Sequence, residues 1–199
     1  MSKRQGPSRG RKLRLAQAPQ RLTPRLLTPF ERELSTKRRG EISELAFALA
    51  AARYGFGISK PFGDSERYDV ILDPSHLPSV IPTDAQRKRA NSRPLLFDCP
   101  RPRLVRVQVK SSTQLLNGLY HINAHRRING RAVPYKLSEI DFIAAYIIPE
   151  DSWFILPLPH VLGQTSLLFR PKRSRLPGLY DSYREAWHYL HEPDGLVFA

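Results

Sequence analysis

Residues 103–112 read Arg-Leu-Val-Arg-Val-Gln-Val-Lys-Ser-Ser, apolar and polar by turns. That is the period of a half-buried β-strand, with Val105, Val107 and Val109 on one face and Arg106, Gln108 and Lys110 on the other. Gln108 offers an amide oxygen and Lys110 an ammonium two residues on, so one face can hold a metal beside a cation that meets phosphate. A second strand-like run, Tyr68, Asp69, Val70, Ile71 and Leu72, offers the carboxylate of Asp69. A helical segment further upstream offers Glu44, with Glu41 one turn away as its competitor. Taken singly, each has a plainer reading: Asp69 as a strand-end acid, Gln108 and Lys110 as a solvated strand face, Glu44 as a helix-start acid favoured by the dipole. Only their order along plausible elements turns the balance toward a site.

The elements that must position them follow from periodicity. Residues 41–54 read as a helix, with Ile42, Leu45, Leu49 and Ala52 as its apolar spacing, acids in its first turn and Gly55 as its stop. Short strands are expected over 57–61, 68–73 and 104–112, with Phe62, Gly63 and Asp64 as a turn. Residues 74–103 hold six prolines and six basic residues, which reads as an insertion and not as a hairpin loop. Beyond them come a short strand near 120–122, a basic turn over 126–131, and successive strands over 141–148 and 153–158. An amphipathic helix is expected over 180–190, with Tyr183, Trp187 and Leu190 on one stripe.

Several of these pieces together resemble one family. Gly40, Glu41, Ile42, Ser43 and Glu44; Pro61, Phe62, Gly63 and Asp64; Tyr68 and Asp69; and Val107, Gln108, Val109, Lys110 and Ser111 look like the PD-(D/E)XK nuclease superfamily. The closer likeness is to the branch of intron-encoded homing endonucleases, where Gln replaces the second acid. Asp141, Phe142, Ile143, Ala144, Ala145 and Tyr146, then Trp153, Phe154, Ile155, Leu156 and Pro157, match that branch's downstream strands. The resemblance implies an α/β fold, a restriction-endonuclease-like core in α-β-β-β-α-β order with a central mixed sheet flanked by helices. It implies a metal-dependent endonuclease acting on DNA, with Mg²⁺ as cofactor and Mn²⁺ as a substitute. Asp69, the Gln108 side-chain carbonyl, the Val109 backbone carbonyl and Glu44 would then be the metal's oxygen ligands, and Lys110 would orient water or stabilise phosphate. Gln is neutral, so such a site carries less negative charge than one with two acids. Tyr135 and Asp141 sit where the family often has a Tyr and an Asp, and read equally well as turn and strand-start residues. Rival readings are a Holliday-junction or repair nuclease on the same core, a non-catalytic DNA-binding protein that keeps the scaffold, and an RNA-binding module.

Composition sets the outer bounds. The chain has 199 residues, 41% hydrophobic, 18 prolines and a formal net charge of +14. Residues 1–40 carry 12 of the Lys and Arg against two acids, so the basic excess is mainly an N-terminal tail. Such asymmetry points to a polyanionic partner, nucleic acid first. The expected organisation is a basic, disordered tail over 1–36, a nuclease-like domain over 37–158 interrupted by the insertion, and a C-terminal extension over 159–199. Cys99 is the single cysteine, which excludes an internal disulfide or a cysteine-rich zinc site. The six histidines are scattered, and no Gly-rich phosphate loop or Gly-x-Ser-x-Gly setting exists. With no signal peptide and no long apolar run, a cytoplasmic protein is expected, with no membrane partner and no small-molecule substrate. Cutting two strands would favour a homo-oligomer.

Overall fold

The computed structural model describes residues 33–63, 65–76 and 103–191. Most of the basic tail and of the expected insertion, together with Asp64 and Cys99, lie outside the described residues.

The chain order begins with a helix, α1 (Thr36–Arg53), then β1 (Gly57–Ser59), β2 (Val70–Asp73) and β3 (Val105–Ser112). Next come β4 (Leu115–Leu116), β5 (Leu119–Asn123), β6 (His125–Ile128) and β7 (Arg131–Pro134). Then follow β8 (Phe142–Ile147), β9 (Ser152–Pro157) and β10 (Ser166–Phe169). The main sheet runs β1-β2-β3-β8-β9, antiparallel except for the parallel pair β3–β8. It is the mixed α/β core the sequence leads one to expect. The connection between the parallel strands differs, because the described chain fills it with strands instead of the second helix of the expected order. Of those strands, β4 and β5 join β10 in a three-stranded sheet, ordered β10-β5-β4, and β6 and β7 form a separate two-stranded ribbon.

Each face of the main sheet has its own core. On the helix side, Phe47 and Ala51 meet Val105, Val107 and Val109 together with Trp153, Trp187 and Leu190. On the other side, Ile143, Ala145, Ile147, Phe154 and Leu156 pack against Ile122, Leu167 and Phe169 of the three-stranded sheet. Strands β8 and β9, covered on both faces, are buried along their whole length, as their unbroken apolar runs require.

The helix presents a different face from the one its leucines suggest. Ser43, Phe47 and Ala51 face inward, whereas Ile42, Leu45 and Leu49 are exposed. One large ring decides this: Phe47 lies 5.4 Å from Trp153 and 5.6 Å from Trp187, ring centre to ring centre. Small residues one turn to either side let the backbone approach the sheet. The helix also starts earlier than expected, capped by the Ser35 hydroxyl accepting from the Arg38 amide at 3.2 Å. Glu41 and Glu44 therefore lie past the first turn, and the helix dipole does not explain them. The stop holds as read: Gly55 adopts φ +92°.

Two further expectations change. The helix expected over 180–190 is replaced by two short 3-10 turns, Asp181–Tyr183 and Trp187–Leu190. Between them Arg184 bridges to Phe154, and Glu185 takes φ +52° while its carboxylate accepts from Trp153 N–H at 2.8 Å. This segment closes the helix-side core through Trp187 and Leu190. The basic turn at 126–131 is in fact the ribbon β6–β7, closed by Asn129 and Gly130 at φ +48° and +78°. Both residues at positive φ mark the turn that matches strand twist, and Asn-Gly is its favoured sequence.

Candidate active site

Strand β2 pairs with β3 only over Val70–Val107, Ile71–Arg106 and Leu72–Val105. The Asp69 amide donates to Val107 O at 2.9 Å, and there the pairing stops. Past that point β3 keeps β8 on one edge and parts from β2 on the other. A cleft of about 400 Å³ opens at the parting, and Glu44, Asp69, Gln108, Val109 and Lys110 all line it. Glu41 does not; it pairs with Arg38 at 2.9 Å on the outside of the helix.

Asp69 is held by neutral donors. Its Oδ2 accepts from Val109 N–H at 2.7 Å and, in a shorter contact, from the Gln108 amide. Burial is the largest influence on its carboxyl and pushes its pKa up to about 6; the Val109 N–H and the Lys110 charge act in the opposite direction. Burial also lowers the pKa of Lys110, against the pull of Asp69 and Glu44. Its ammonium stands 5.9 Å from the ring centre of Tyr135. The Tyr135 hydroxyl titrates well above its usual range, through burial first and the Asp69 charge second, so it stays protonated. Glu44 reaches the cleft from α1, with its carboxylate paired to Lys60 at 2.8 Å.

These donors fit a hard divalent cation. All are oxygens, as Mg²⁺-like ions prefer. One nitrogen, Gln108 Nε2, contacts Asp69 Oδ2 and also lies 3.4 Å from Val109 O, so carboxylate and carbonyl flank a single spot. The amide shows that spot its nitrogen instead of the oxygen expected as a ligand. Half a turn about the last side-chain torsion exchanges the two atoms. No cluster of three His, Cys, Asp or Glu capable of holding a metal occurs among the described residues.

Asp141, the other residue the family pattern marks, lies elsewhere. It accepts from Arg103 at 2.7 Å and from the Arg106 amide at 2.8 Å, and it pairs with the Arg106 guanidinium at 3.0 Å. Its role is to tie β8 to β3. The cleft also holds residues that sequence reasoning passed over: His121, Asn123, His125 and Arg127. Their signal was present as strict alternation with Tyr120, Ile122 and Ala124. Reading 126–131 as a turn cut that pattern short.

The model of a family described as PD-(D/E)XK endonuclease matches residues 34–77, the stretch that carries Glu44 and Asp69. Among solved structures, the chain is similar to a bacterial homing endonuclease, I-Ssp6803I, with 25% sequence identity and a TM-score of 0.57. That likeness covers 79% of this chain and 92% of the other. No curated protein matches the chain significantly. The segment match covers Glu44 and Asp69, the structural likeness spans most of the chain, and together they support an endonuclease of the PD-(D/E)XK type.

Proposed function

We propose that the protein hydrolyses DNA phosphodiester bonds with a divalent metal, Mg²⁺ with Mn²⁺ able to substitute, and that it serves a mobile or intron-associated element. Asp69, Gln108 through its amide oxygen, the Val109 carbonyl and Glu44 would hold the ion. When bound, the ion supplies an activated water and neutralises charge that develops on the phosphate. The chain's own residues do the rest. Lys110, half-buried and lowered in pKa, gives up its proton more readily than a surface lysine and meets the phosphate or its attacking water. Val109 N–H fixes the Asp69 carboxylate in one orientation. Tyr135, protonated and beside Lys110, limits where the ammonium can swing. DNA would be the macromolecular partner, and the 12 basic residues of 1–40 would add contacts to its backbone.

The observation that carries this reading is the cleft where β2 and β3 part, in which a half-buried carboxylate accepts hydrogen bonds only from neutral donors and faces a lysine. The test is purified protein with supercoiled plasmid and Mg²⁺, with EDTA as control. Wild type is expected to nick and linearise the plasmid only with the metal. Lys110→Ala should lose at least ~10²-fold in rate, the size expected of a preorganised charge-stabilising group, with DNA binding reduced only modestly. Equal cleavage by both proteins would sink this assignment. No helix among the described residues is long and apolar enough to cross a membrane.

A further inference from the structure

One side of the cleft is lined by a continuous row. His121, Asn123, His125 and Arg127 occupy alternate positions along β5 and β6, and all four line the cleft. Between them, Ile122 and Ala124 are 1% exposed and belong to the core. The row therefore cannot turn over without unpacking the domain. Its members are held from behind by the start of β10. His121 Nε2 meets the Ser166 hydroxyl, and His125 Nδ1 lies 2.8 Å from Thr165 O. A carbonyl only accepts, so His125 turns an N–H at Nδ1 to Thr165 O, which fixes the ring in place.

The row ends on the ribbon. Arg126, facing the other way, is spoken for: it pairs with Glu139 at 2.8 Å and anchors the ribbon's base. Arg127 is exposed and has no acidic partner among the described residues; its guanidinium donates only to Gly130 O at 3.3 Å. Residues 119–134 contain no acid at all. A line of uncharged polar side chains leading to a cation with no acidic partner, starting at a half-buried carboxylate and lysine, places no negative charge against a polyanionic strand along its length. Fully extended, it would run up to about 20 Å, roughly six phosphate spacings of one DNA strand along the helix axis.

We propose that the row His121, Asn123, His125 and Arg127 is the track for the sugar–phosphate backbone of the strand that runs into the catalytic cleft, with Arg127 as its outer cation. The proposal rests on the nuclease reading only for the identity of the cleft. The track itself can be assayed without metal or cleavage.

The experiment measures binding of the full chain to a fluorescent DNA duplex in EDTA across a salt series, beside plasmid cleavage in Mg²⁺. Arg127→Ala should weaken binding several-fold at low salt and reduce the log–log salt slope by about 0.9, one phosphate contact. Arg127→Lys should keep the slope. Asn123→Ala should weaken binding with the slope unchanged, because it removes hydrogen bonds and no charge. Arg175→Ala removes an equal charge from an exposed loop outside the cleft and serves as control. If Arg127→Ala and Arg175→Ala behave alike, the track is wrong, whatever the plasmid shows. If wild type fails to cleave yet Arg127→Ala alone lowers the slope, the nuclease reading falls and the track stands. A wild type that neither binds nor cleaves overturns both.

Discussion

Two aspartates flank the same strand. Asp69 approaches β3 from the β2 side near Val107, and Asp141 approaches from the β8 side one residue away at Arg106. Asp141 is met by charge: two guanidiniums and a backbone amide converge on it, and all that remains for it to do is hold two strands together. Asp69 is met by an amide side chain and a backbone N–H, both neutral, in a setting buried enough to push its pKa up to about 6. A carboxylate that has already found its counter-charge is structural. One held half-buried by neutral hydrogen-bond donors carries electrostatic free energy that a proton or a bound cation can release.

This contrast predicts different failures on the two sides of β3. The largest effect is on activity: Asp69→Ala should reduce plasmid cleavage below detection, at least ~10²-fold, while the variant still folds with a cooperative melt. Cleavage at a tenth of the wild-type rate or better would remove Asp69 from the chemistry. Asp141→Ala should do the reverse. It leaves Arg106 without its partner and should lower unfolding stability by about 3 kcal/mol, read by urea denaturation, with the rate per folded molecule nearly unchanged.

A third outcome concerns pH. Between its ordinary value of 3.8 and its raised value of about 6, the folded protein binds the Asp69 proton more tightly than the unfolded chain does. Stability contributed by this group is therefore highest in acid and declines as pH rises through that window. In EDTA, Asp69→Asn should flatten the window by about 3 kcal/mol and leave the variant at least as stable as wild type at neutral pH. An unchanged slope from Asp69→Asn would mean that the carboxylate is not desolvated. The smallest effect belongs to Lys60, whose pair with Glu44 is half-exposed. Lys60→Ala should shift stability by no more than about 0.5 kcal/mol and raise the affinity for Mn²⁺, measured by calorimetry, because Glu44 is set free.

Local rules made much of this legible. Alternation over 103–112 located β3 and its functional face, and the apolar runs at 142–147 and 152–157 gave the buried strands. Gly55 stopped the helix where a left-handed residue was needed. The misreadings came from long-range packing. Counting leucines put the wrong face of α1 inward, because nothing local reveals that Trp153 and Trp187 form a socket for Phe47. Spacing alone suggested a terminal helix, but Glu185 is drawn out of helical conformation by its bond to Trp153 N–H, a partner 32 residues away. The polar row at 121–127 was missed for a different reason. Its Asn-Gly turn was read as the end of the pattern, when it is the hinge of a ribbon that extends it.

The aromatic cluster behind the sheet gives the molecule a built-in optical probe. The chain has two tryptophans, Trp153 and Trp187, and their rings lie 5.9 Å apart with Phe47 of α1 against both. Every photon of indole emission therefore originates under the helix that delivers Glu44 to the cleft. Lifting of that helix would wet both rings together and move the emission to longer wavelength, so the seating of Glu44 can be followed by fluorescence without a label.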